Sequence, residues 1–330
     1  MESALENRTP QSPPPIQPVT GVHRPTWSVM IPVYNCSTYL PLTLESVLAQ
    51  ALPEADMQIE VVDDASTDHP VEQLVYEVGR GRVQYFRQPI NRGSLHNLNT
   101  AIQRARGKYL HILHGDDLVL PGFYREMQNL LEAYPEAGMA FCRYLYIDEA
   151  GKPLYPSDPE AEQPGLLIGW LSRLATRQRI QTPAVVVQRK VYEHLGGFYG
   201  VHYGEDWLMW LRIAIHYAVS YTPAIRAAYR QHQHSISGRW ALNGQNMRDI
   251  GYVIHQMKTL LPENIYRTAA PRARHFYAAY AIQTAHRNWH LKAGLKPVLA
   301  QLHQACRLHP SVLLQSNSLK LYLKILWNLH

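Results

Sequence analysis

The sequence predicts an α/β protein whose mostly parallel sheet is flanked by helices and followed by a helical C-terminal extension. From Thr26 to the helical pattern opened by Pro121, short β-rich runs alternate with amphipathic helical patterns, the order that builds parallel sheets. Two of these runs, ending at Val62 and Leu113, are closely followed by an Asp-Asp pair. After about Trp240 only helical patterns remain.

The composition is that of a globular protein with an ordinary core. The chain has 330 residues, of which 46% are hydrophobic and 18% charged. Its net charge is +6, but it lacks the dense Lys/Arg run of a nucleic-acid-binding arm, so we predict no nucleic-acid partner. Three widely spaced cysteines and the lack of an apolar leader favour a reducing, cytoplasmic location. No apolar run reaches the roughly 18–20 residues of a membrane span.

We predict three segments along the chain. Residues 1–25 hold six prolines and are predicted to form a disordered or extended tail. Residues 26–238 form the α/β domain, and residues 239–330 the helical extension, with its helices broken at Pro262, Pro271, Pro297 and Pro310.

The elements of the α/β domain follow from hydrophobic periodicity. The predicted strands are Trp27–Val33, Gln58–Val62, Arg82–Phe86, Tyr109–Leu113 and Ala184–Val187. The predicted helices are Tyr39–Ala51, residues 70–78, Ser94–Arg106, a helix opened by Pro121, and Asp206–Ala218. Ligands of such sheets bind beyond the carboxyl ends of the strands, where both Asp pairs fall.

Each Asp pair admits a functional and a structural interpretation. Asp116 and Asp117 repel each other in a crevice unless a hard cation such as Mg²⁺ or Mn²⁺ relieves the repulsion; otherwise they form a solvated turn. Asp63 and Asp64 offer a carboxylate to the imino N–H of a nucleobase. Alternatively, this stretch is a capping cluster, in which Ser66, Thr67 and Asp68 begin the next helix.

Two further groups carry candidate chemistry. Glu205 and Asp206 precede a helix, where one carboxylate can serve as a general base or both can simply favour the helix dipole. His232 and His234 follow Arg230 and could contact a metal or phosphate, although a surface loop explains His234 better.

Taken together, these segments resemble the GT-A-fold glycosyltransferases of family 2. The matching stretches are Ser28–Asn35, Glu60–Asp68, Asn91–Gly93 continuing through Asn99 to Gly107, Tyr109–Asp117, Gly196–Phe198, Gly204–Asp206 and Tyr229–His232. Their order and spacing, from about Thr26 to Gly238, make the resemblance specific.

The resemblance implies a role for each matching position. Pro32, Val33 and Tyr34 would form the nucleobase pocket, and Asp64 would hydrogen-bond the base. Asn91, Gly93 and Asn99 would belong to the nucleotide-sugar site. Asp116 would contact the ribose side of the donor and the metal. Asp117 would coordinate Mn²⁺ or Mg²⁺ on the diphosphate, with His232 as a further contact. Asp206 would be the catalytic base, supported by Glu205.

The implied reaction is a single displacement that inverts the anomeric carbon of a nucleotide-sugar donor, preferably a UDP-sugar. The acceptor would be a growing surface polysaccharide, a lipid-linked oligosaccharide or a protein. A non-catalytic nucleotide-sugar-binding scaffold is the alternative, because a fold does not fix a function. A nucleotidyltransferase is disfavoured, since Ile31–Ser37 contains none of the glycines of a phosphate loop.

Two features depart from the pattern or lie outside it. Many relatives carry an acidic residue two places before Asp116, where this chain has His114. Near the C-terminus, Lys320, Lys324 and Asn328 form a narrow polar stripe on an otherwise apolar helix. That helix either packs against the core or makes a peripheral membrane contact at the inner face of the membrane.

Overall fold

Two structural units make up the part of the chain described by the computed structural model, residues 9–20, 24–232 and 236–327. The first unit lies within Met1–Ile168, Ile180–His202 and Arg212–Gln231. The second lies within Gly169–Arg179, Tyr203–Leu211 and His232–His330. The predicted boundary at 238/239 is close to the last of these divisions, but two earlier segments also belong to the helical unit.

A mixed sheet organises the first unit. Its strands are β1 (Trp27–Val33), β2 (Met57–Asp63), β3 (Gln84–Arg87), β4 (Tyr109–Ile112), β5 (Leu118–Val119), β6 (Ala137–Ile147), β7 (Pro153–Pro156), β8 (Gly165–Leu166), β9 (Val185–Gln188) and β10 (Ala218–Arg230). Their order across the sheet is β3-β2-β1-β4-β9-β6-β10-β5, with β7 beside β6 and β8 beside β10.

The N-terminal half of the sheet is parallel, as the sequence predicts. β1 pairs in parallel with both β2 and β4, and β2 pairs in parallel with β3. β9 then runs antiparallel between β4 and β6. The carboxyl ends of β1, β2 and β4 therefore meet at one edge, with Val33 opposite Asp63. The predicted α/β fold is confirmed, with a sheet that is parallel on one side and mixed beyond β4.

The sequence analysis missed the two longest strands. β6 and β10 have 11 and 13 residues and pair in parallel with each other. Most of β6 is buried, so its sequence lacks the alternation of apolar and polar residues that marks a half-exposed strand. β10 contains Pro223 and register shifts where it pairs with β6, which further obscure its periodicity.

Helices surround this sheet and form most of the second unit. They are α1 (Leu40–Leu48), α2 (Val71–Gly79), α3 (Ser94–Arg104), α4 (Phe123–Ala133), α5 (Trp170–Leu174), α6 (Arg189–Leu195), α7 (Glu205–His216), α8 (Ile236–Trp240), α9 (Gln245–Leu260), α10 (Glu263–His290), α11 (Leu295–Leu308) and α12 (Ser316–Trp327). The helical C-terminal region is thus confirmed. None of the described helices is both long and apolar enough to cross a bilayer.

Pro271 does not break a helix, contrary to the prediction. It lies inside α10, which continues for 28 residues. Ala269, Ala270 and Ala273 beside it are buried, and their packing holds the helix together where proline removes one backbone hydrogen bond. Pro262 instead forms the N-cap of α10, and Pro297 lies in the first turn of α11, positions that tolerate proline.

The core of the first unit lies between the sheet and helices α1 and α4. Trp27 at the start of β1 is fully buried and packs against the rings of Tyr109 and Tyr124, at centroid distances of 5.4 and 5.1 Å. Leu44 of α1 and Met127 of α4 belong to the same apolar cluster. This packing fixes β1 and β4, whose ends carry candidate site residues.

The described part of the N-terminal segment, residues 9–20, packs on the first unit, so of the two predicted alternatives the disordered one does not hold for it. Pro14 O accepts a hydrogen bond from Gly197 N (2.9 Å), and Pro10 O accepts one from Gly200 N (2.9 Å). Gln17 O accepts a bond from the buried Arg189 side chain (2.9 Å). The prolines lack an N–H but keep their carbonyls, so an extended Pro-rich segment can serve as a row of acceptors.

Ile16 anchors this segment, since its side chain is only 3% exposed. We expect Ile16→Ala to lower the free energy of unfolding by about 2 kcal/mol through loss of buried apolar contacts. Thr20→Ala, at an exposed position of the same segment, is the control and should change little. Urea unfolding measures both variants; equal stabilities would show that residues 9–20 do not pack on the fold.

Candidate active site

Two loops that follow neighbouring strands are tied together at the predicted binding edge. Asn35, just beyond β1, receives the backbone N–H of Thr67 on its Oδ1 (2.7 Å) and donates its own N–H to Ser66 Oγ (3.0 Å). Asn35 and Ala65 both adopt positive φ, 51° and 60°. Such backbone conformations are uncommon outside glycine and persist where surrounding contacts enforce them.

These contacts overturn the capping interpretation of Ser66, Thr67 and Asp68. The N-cap of α2 is Pro70, which makes no side-chain capping bond. Asp68 instead accepts the N–H of Ser37 (3.0 Å). The polar side chains after β2 therefore hold the loop after β1.

The two carboxylates at the end of β2 differ in their surroundings. Asp63 is fully buried, and its Oδ2 accepts bonds from Tyr85 (2.7 Å) and Arg87 (2.5 Å), so it is a structural residue. Asp64, 2% exposed, accepts the backbone N–H groups of Arg92 and Gly93, both at 2.8 Å. Asp64 thus fixes the loop that begins α3.

The structure brings most of the predicted nucleotide-site residues to this edge. Asn91 donates from Nδ2 to Asp64 O (3.1 Å), and Gly93 adopts a φ of 91° at the N-cap of α3. On the β1 side Val33 is buried, Pro32 is half-buried and Tyr34 is 44% exposed. An exposed aromatic ring beside buried apolar residues is the kind of surface on which a nucleobase can lie.

Asn99 does not fit its predicted place in the nucleotide-sugar site. It lies within α3 and is 8% exposed. Its Nδ2 donates to Phe198 O (2.9 Å) and its Oδ1 accepts Phe198 N–H (2.7 Å). Both polar atoms of the Asn99 side chain are hydrogen-bonded to the backbone of Phe198, so in this structure Asn99 holds the loop at 198 in place.

A group of three potential metal ligands lies just beyond β4. One ligand atom from each of His114, Asp116 and Asp117 falls within 4.8 Å of the other two. His114 Nδ1 is 3.7 Å from Asp117 Oδ2. Neighbouring ligands of one cation lie about 3–3.5 Å apart for metal–ligand bonds of about 2.1 Å, so a small adjustment would suffice.

Asp117 provides the strongest sign that this group holds a cation. Its side chain is 1% exposed; Oδ1 accepts Arg230 N–H (2.9 Å), while the buried Oδ2 has no hydrogen-bond partner among the described residues. Burial and then the charge of Asp116 raise the pKa of Asp117 well above its usual value. A divalent cation would stabilise the charged form of Asp117, so its buried Oδ2 is suited to bind a metal.

Arg230 at the end of β10 holds the turn that carries these ligands. Its Nε donates to Asp116 O (2.8 Å), and its Nη1 donates to Asp148 O and Glu149 O at 3.1 and 3.0 Å. The side chain is 2% exposed. The Arg230 side chain therefore holds the turn and residues 148–149 together through their main-chain carbonyls.

The second unit contains the acidic pair at the start of α7. Glu205 and Asp206 are half-buried, and Asp206 Oδ1 accepts Trp207 N–H (2.6 Å). Burial raises the pKa of Asp206 to about 6, although bonds from Trp207 and Gln178 oppose the shift. Burial, Asp206 and Asp249 also raise the pKa of Glu205. A carboxylate with a pKa close to neutral is suited to general-base chemistry.

The remaining predicted ligand, His232, is half-buried and begins the C-terminal segment of the second unit. Its role as a metal or phosphate contact stays a prediction. His234 lies outside the described residues.

With this geometry established, comparison with known proteins gives the family. Residues 28–196, more than half of the chain, match the family described as glycosyl transferase family 2. The chain belongs to this family. The matched range contains the loops after β1 and β2 and the group His114, Asp116 and Asp117.

Curated relatives are described as uncharacterized glycosyltransferases, and each is matched over only part of its length. An uncharacterized glycosyltransferase from Rickettsia felis is 27% identical over 197 residues, which cover 58% of this chain and 32% of the relative. A Mycoplasma pneumoniae glycosyltransferase is 34% identical over 104 residues, covering 31% of this chain and 34% of the relative. The chain is therefore matched to about a third of the length of each of these relatives.

Solved structures share the fold at low sequence identity. Residues 1–349 of Staphylococcus aureus TarS, in complex with UDP-GlcNAc, match with a TM-score of 0.65 and 15% identity, over 86% of this chain and 81% of that one. The Pyrobaculum calidifontis mannosyltransferase PcManGT, in complex with GDP-Man and Mn²⁺, matches with a TM-score of 0.54 and 19% identity, over 99% and 92%. These similarities confirm the GT-A type of fold.

Sequence reasoning missed two features of this family 2 site. It treated His114 only as a departure, although its position two residues before Asp116 on the same turn could have indicated a shared ligand group. It also missed that Asp64 engages the backbone N–H groups of Arg92 and Gly93, because those donors carry no side-chain signal.

Gly115 allows the ligand turn to lie close to the loop after β1. A Cβ at this position would lie 2.7 Å from both Cys36 Sγ and Val33 Cγ1.

We expect Gly115→Ala to displace the turn and lower the free energy of unfolding by about 1–3 kcal/mol. The control is Gly251→Ala in α9, where the nearest side-chain atom is 3.8 Å from the added Cβ and alanine favours the helix. Thermal unfolding of both variants is the measurement; a Gly115→Ala protein as stable as wild type would contradict the close packing.

Proposed function

We propose that this chain is an inverting, divalent-metal-dependent glycosyltransferase that moves a sugar from a nucleotide-diphosphate donor to an acceptor hydroxyl. The observation that carries the proposal is the ligand group of His114, Asp116 and Asp117 at the strand edge, with its buried, unbonded Asp117 oxygen. Family membership supports the same chemistry.

The donor would lie along the edge formed by β1, β2 and β4. Tyr34 would face the nucleobase, with Pro32 and Val33 behind it. Asp64 would accept the imino N–H of the base. Asn91 and Gly93 would complete this side of the site. UDP-sugars are the first donors to test.

His114, Asp116 and Asp117 would hold the cation, Mn²⁺ or Mg²⁺. When bound, the cation would offset the charge of the diphosphate and make it a better leaving group. Burial lowers the pKa of His114, which keeps its imidazole neutral and able to offer a lone pair. His232 is proposed as a further contact.

Asp206 would act as the general base. Its carboxylate would take the proton of the acceptor hydroxyl while that oxygen forms a bond to the anomeric carbon. The bond from that carbon to the diphosphate oxygen breaks, and its electron pair leaves with the nucleotide. A single displacement of this kind inverts the anomeric configuration. Glu205 would support Asp206 as a neighbouring acid whose pKa is also raised.

The acceptor is proposed to be a surface polysaccharide, a lipid-linked oligosaccharide or a protein, reached from the cytoplasm. A nucleotide-sugar-binding scaffold without turnover is the alternative function. The role of Asp206 separates the two, because only an enzyme needs a base.

We expect Asp206→Asn to abolish transfer without weakening donor binding. In the wild-type protein the base must be unprotonated, so activity should be lost as the pH falls. Below pH about 6 we expect kcat/KM to decrease about tenfold per pH unit, and above it to level off. Glu72→Gln, on the exposed side of α2, is the control. Donor binding without turnover by the wild-type protein, under any metal and acceptor tested, would favour the scaffold.

Metal and donor binding can be tested independently of turnover. We expect Mn²⁺ with one family of nucleotide sugars, drawn from a panel that includes UDP- and GDP-sugars, to stabilise the protein by about 2.7 kcal/mol at a hundred times Kd. Bound Mn²⁺ should show the electron-spin-echo modulation of a coordinated imidazole ¹⁴N. His114→Asp should weaken that modulation, leaving at most the contribution of His232, and shift the preference towards Mg²⁺, because imidazole suits transition metals and carboxylate suits Mg²⁺.

His255→Asp, at an exposed position of α9, serves as the control for this experiment and should leave the nitrogen signal unchanged. A nitrogen signal of undiminished depth in His114→Asp would exclude His114 as a ligand. Absence of stabilisation by every nucleotide and metal combination would contradict the donor site itself.

A further inference from the structure

Charge is divided unevenly along the chain. Residues 232–330 contain twelve Lys and Arg but only two Asp and Glu, whereas the preceding residues contain twenty and twenty-four. The helical C-terminal region therefore carries a surplus of ten positive charges, more than the +6 of the whole chain. So strong an asymmetry attracts an anionic partner to one part of the molecule.

The basic side chains of this region lie at its surface. Ten of the twelve are exposed: Arg239, Arg248, Lys258, Arg267, Arg272, Arg287, Lys292, Lys296, Arg307 and Lys320. The two acidic residues of this region neutralise little of its positive charge. Glu263 pairs with Arg267 at 2.6 Å, and Asp249 is buried, with bonds to Gln245 and to the backbone of Tyr203.

Exposed leucines accompany the cations on α11. A shallow, open groove of about 530 Å³ lies along this helix, lined by Leu295 and Leu299 together with Lys296, His303 and the Arg248 side chain of α9. Leu295 and Leu299 are 38% and 48% exposed, and Leu291 just before them is 56% exposed. Apolar side chains interleaved with Lys and Arg form an amphiphilic surface, unlike a merely solvated charged face.

The terminal helix α12 repeats this combination. Leu321 is fully buried, which shows that one side of α12 packs on the protein. On its exposed side Leu319 and Leu323 are 49% and 67% exposed, beside Lys320. His286 Nε2 lies 2.8 Å from Asn317 O, which holds α12 against the end of α10. Core packing and an exposed apolar side thus coexist in this helix, so packing against the core leaves an apolar surface for the predicted membrane contact.

We infer that the exposed surface of α11 and α12 docks on an anionic lipid bilayer. Lys292, Lys296 and Lys320 would lie among the phosphate headgroups, and the exposed leucines would enter the boundary between headgroups and acyl chains. A nucleic acid fits less well, because single strands are bound by aromatic side chains on which bases stack, and this groove presents leucines. The inference does not depend on the proposed glycosyl transfer.

The test is co-sedimentation of the full chain with large unilamellar vesicles. One set contains phosphatidylcholine alone, and the other contains one-third phosphatidylglycerol. We expect binding to the anionic vesicles only, weakened by high salt because the headgroup attraction is screened. Absence of binding to either set, or equal binding to both, would overturn the inference. So would binding of a single-stranded RNA oligonucleotide without binding to anionic vesicles.

Matched variants separate the contribution of this surface to vesicle binding from the contribution of net charge. Lys292→Glu with Lys296→Glu reverses two charges beside the groove and should lower the partition coefficient at least about tenfold. Lys152→Glu with Lys190→Glu makes the same change in net charge at exposed positions of the first unit and should have little effect. Leu295→Ser with Leu299→Ser should also weaken binding, with net charge unchanged. Equal losses in both charge-reversal variants would show that net charge alone drives binding, against the inference. Circular dichroism confirms that each variant is folded.

Discussion

The hydrogen bond from the backbone of Arg230 to the carboxylate of Asp117 joins two parts of the chain that are far apart in sequence. It places the end of β10 against the turn after β4. The Arg230 side chain then holds Asp116 O and the carbonyls of residues 148 and 149, and Thr43 Oγ1 donates to Asp117 O at 2.8 Å. Three segments, the end of β10, residues 148–149 and α1, thus meet at one turn, because its buried carboxylate and carbonyl oxygens must find hydrogen-bond donors.

That convergence leaves one part of Asp117 unsatisfied. Its Oδ1 and its main-chain O are bonded, but the buried Oδ2 faces His114 across 3.7 Å without a hydrogen bond among the described residues. An unbonded buried oxygen costs stability, so a fold retains one mainly where a ligand completes the site. This unbonded oxygen supports the proposal that the turn holds a cation, which would explain why two adjacent carboxylates lie beside a histidine.

The loops after β1 and β2 are organised in a comparable way. Asn35 and Ala65 have left-handed backbone conformations, and side-chain bonds across the two loops hold them there. Asp64 uses its carboxylate to fix the start of α3. Because the backbone is fixed before any ligand arrives, little conformational entropy would be lost on binding. In the second unit the environment of Asp206 has a different effect, since burial raises its pKa towards neutrality.

The sequence by itself determined the parallel half of the sheet, the edge at which the Asp pairs lie and the helical nature of the C-terminal region. Those features follow from local periodicity and from the rule that parallel strands end at a common edge. Only the tertiary structure revealed β6 and β10, since buried strands lack alternation. It alone showed that the side chains of Asn99 and Arg230 are hydrogen-bonded to backbone atoms of the protein. It also showed that residues 9–20 pack on the fold through proline carbonyls. It also placed His114 with Asp116 and Asp117, and it showed the exposed leucines among the cations of α11. Hydrogen-bond partners and exposure depend on residues distant in sequence, which is why local patterns could not supply them.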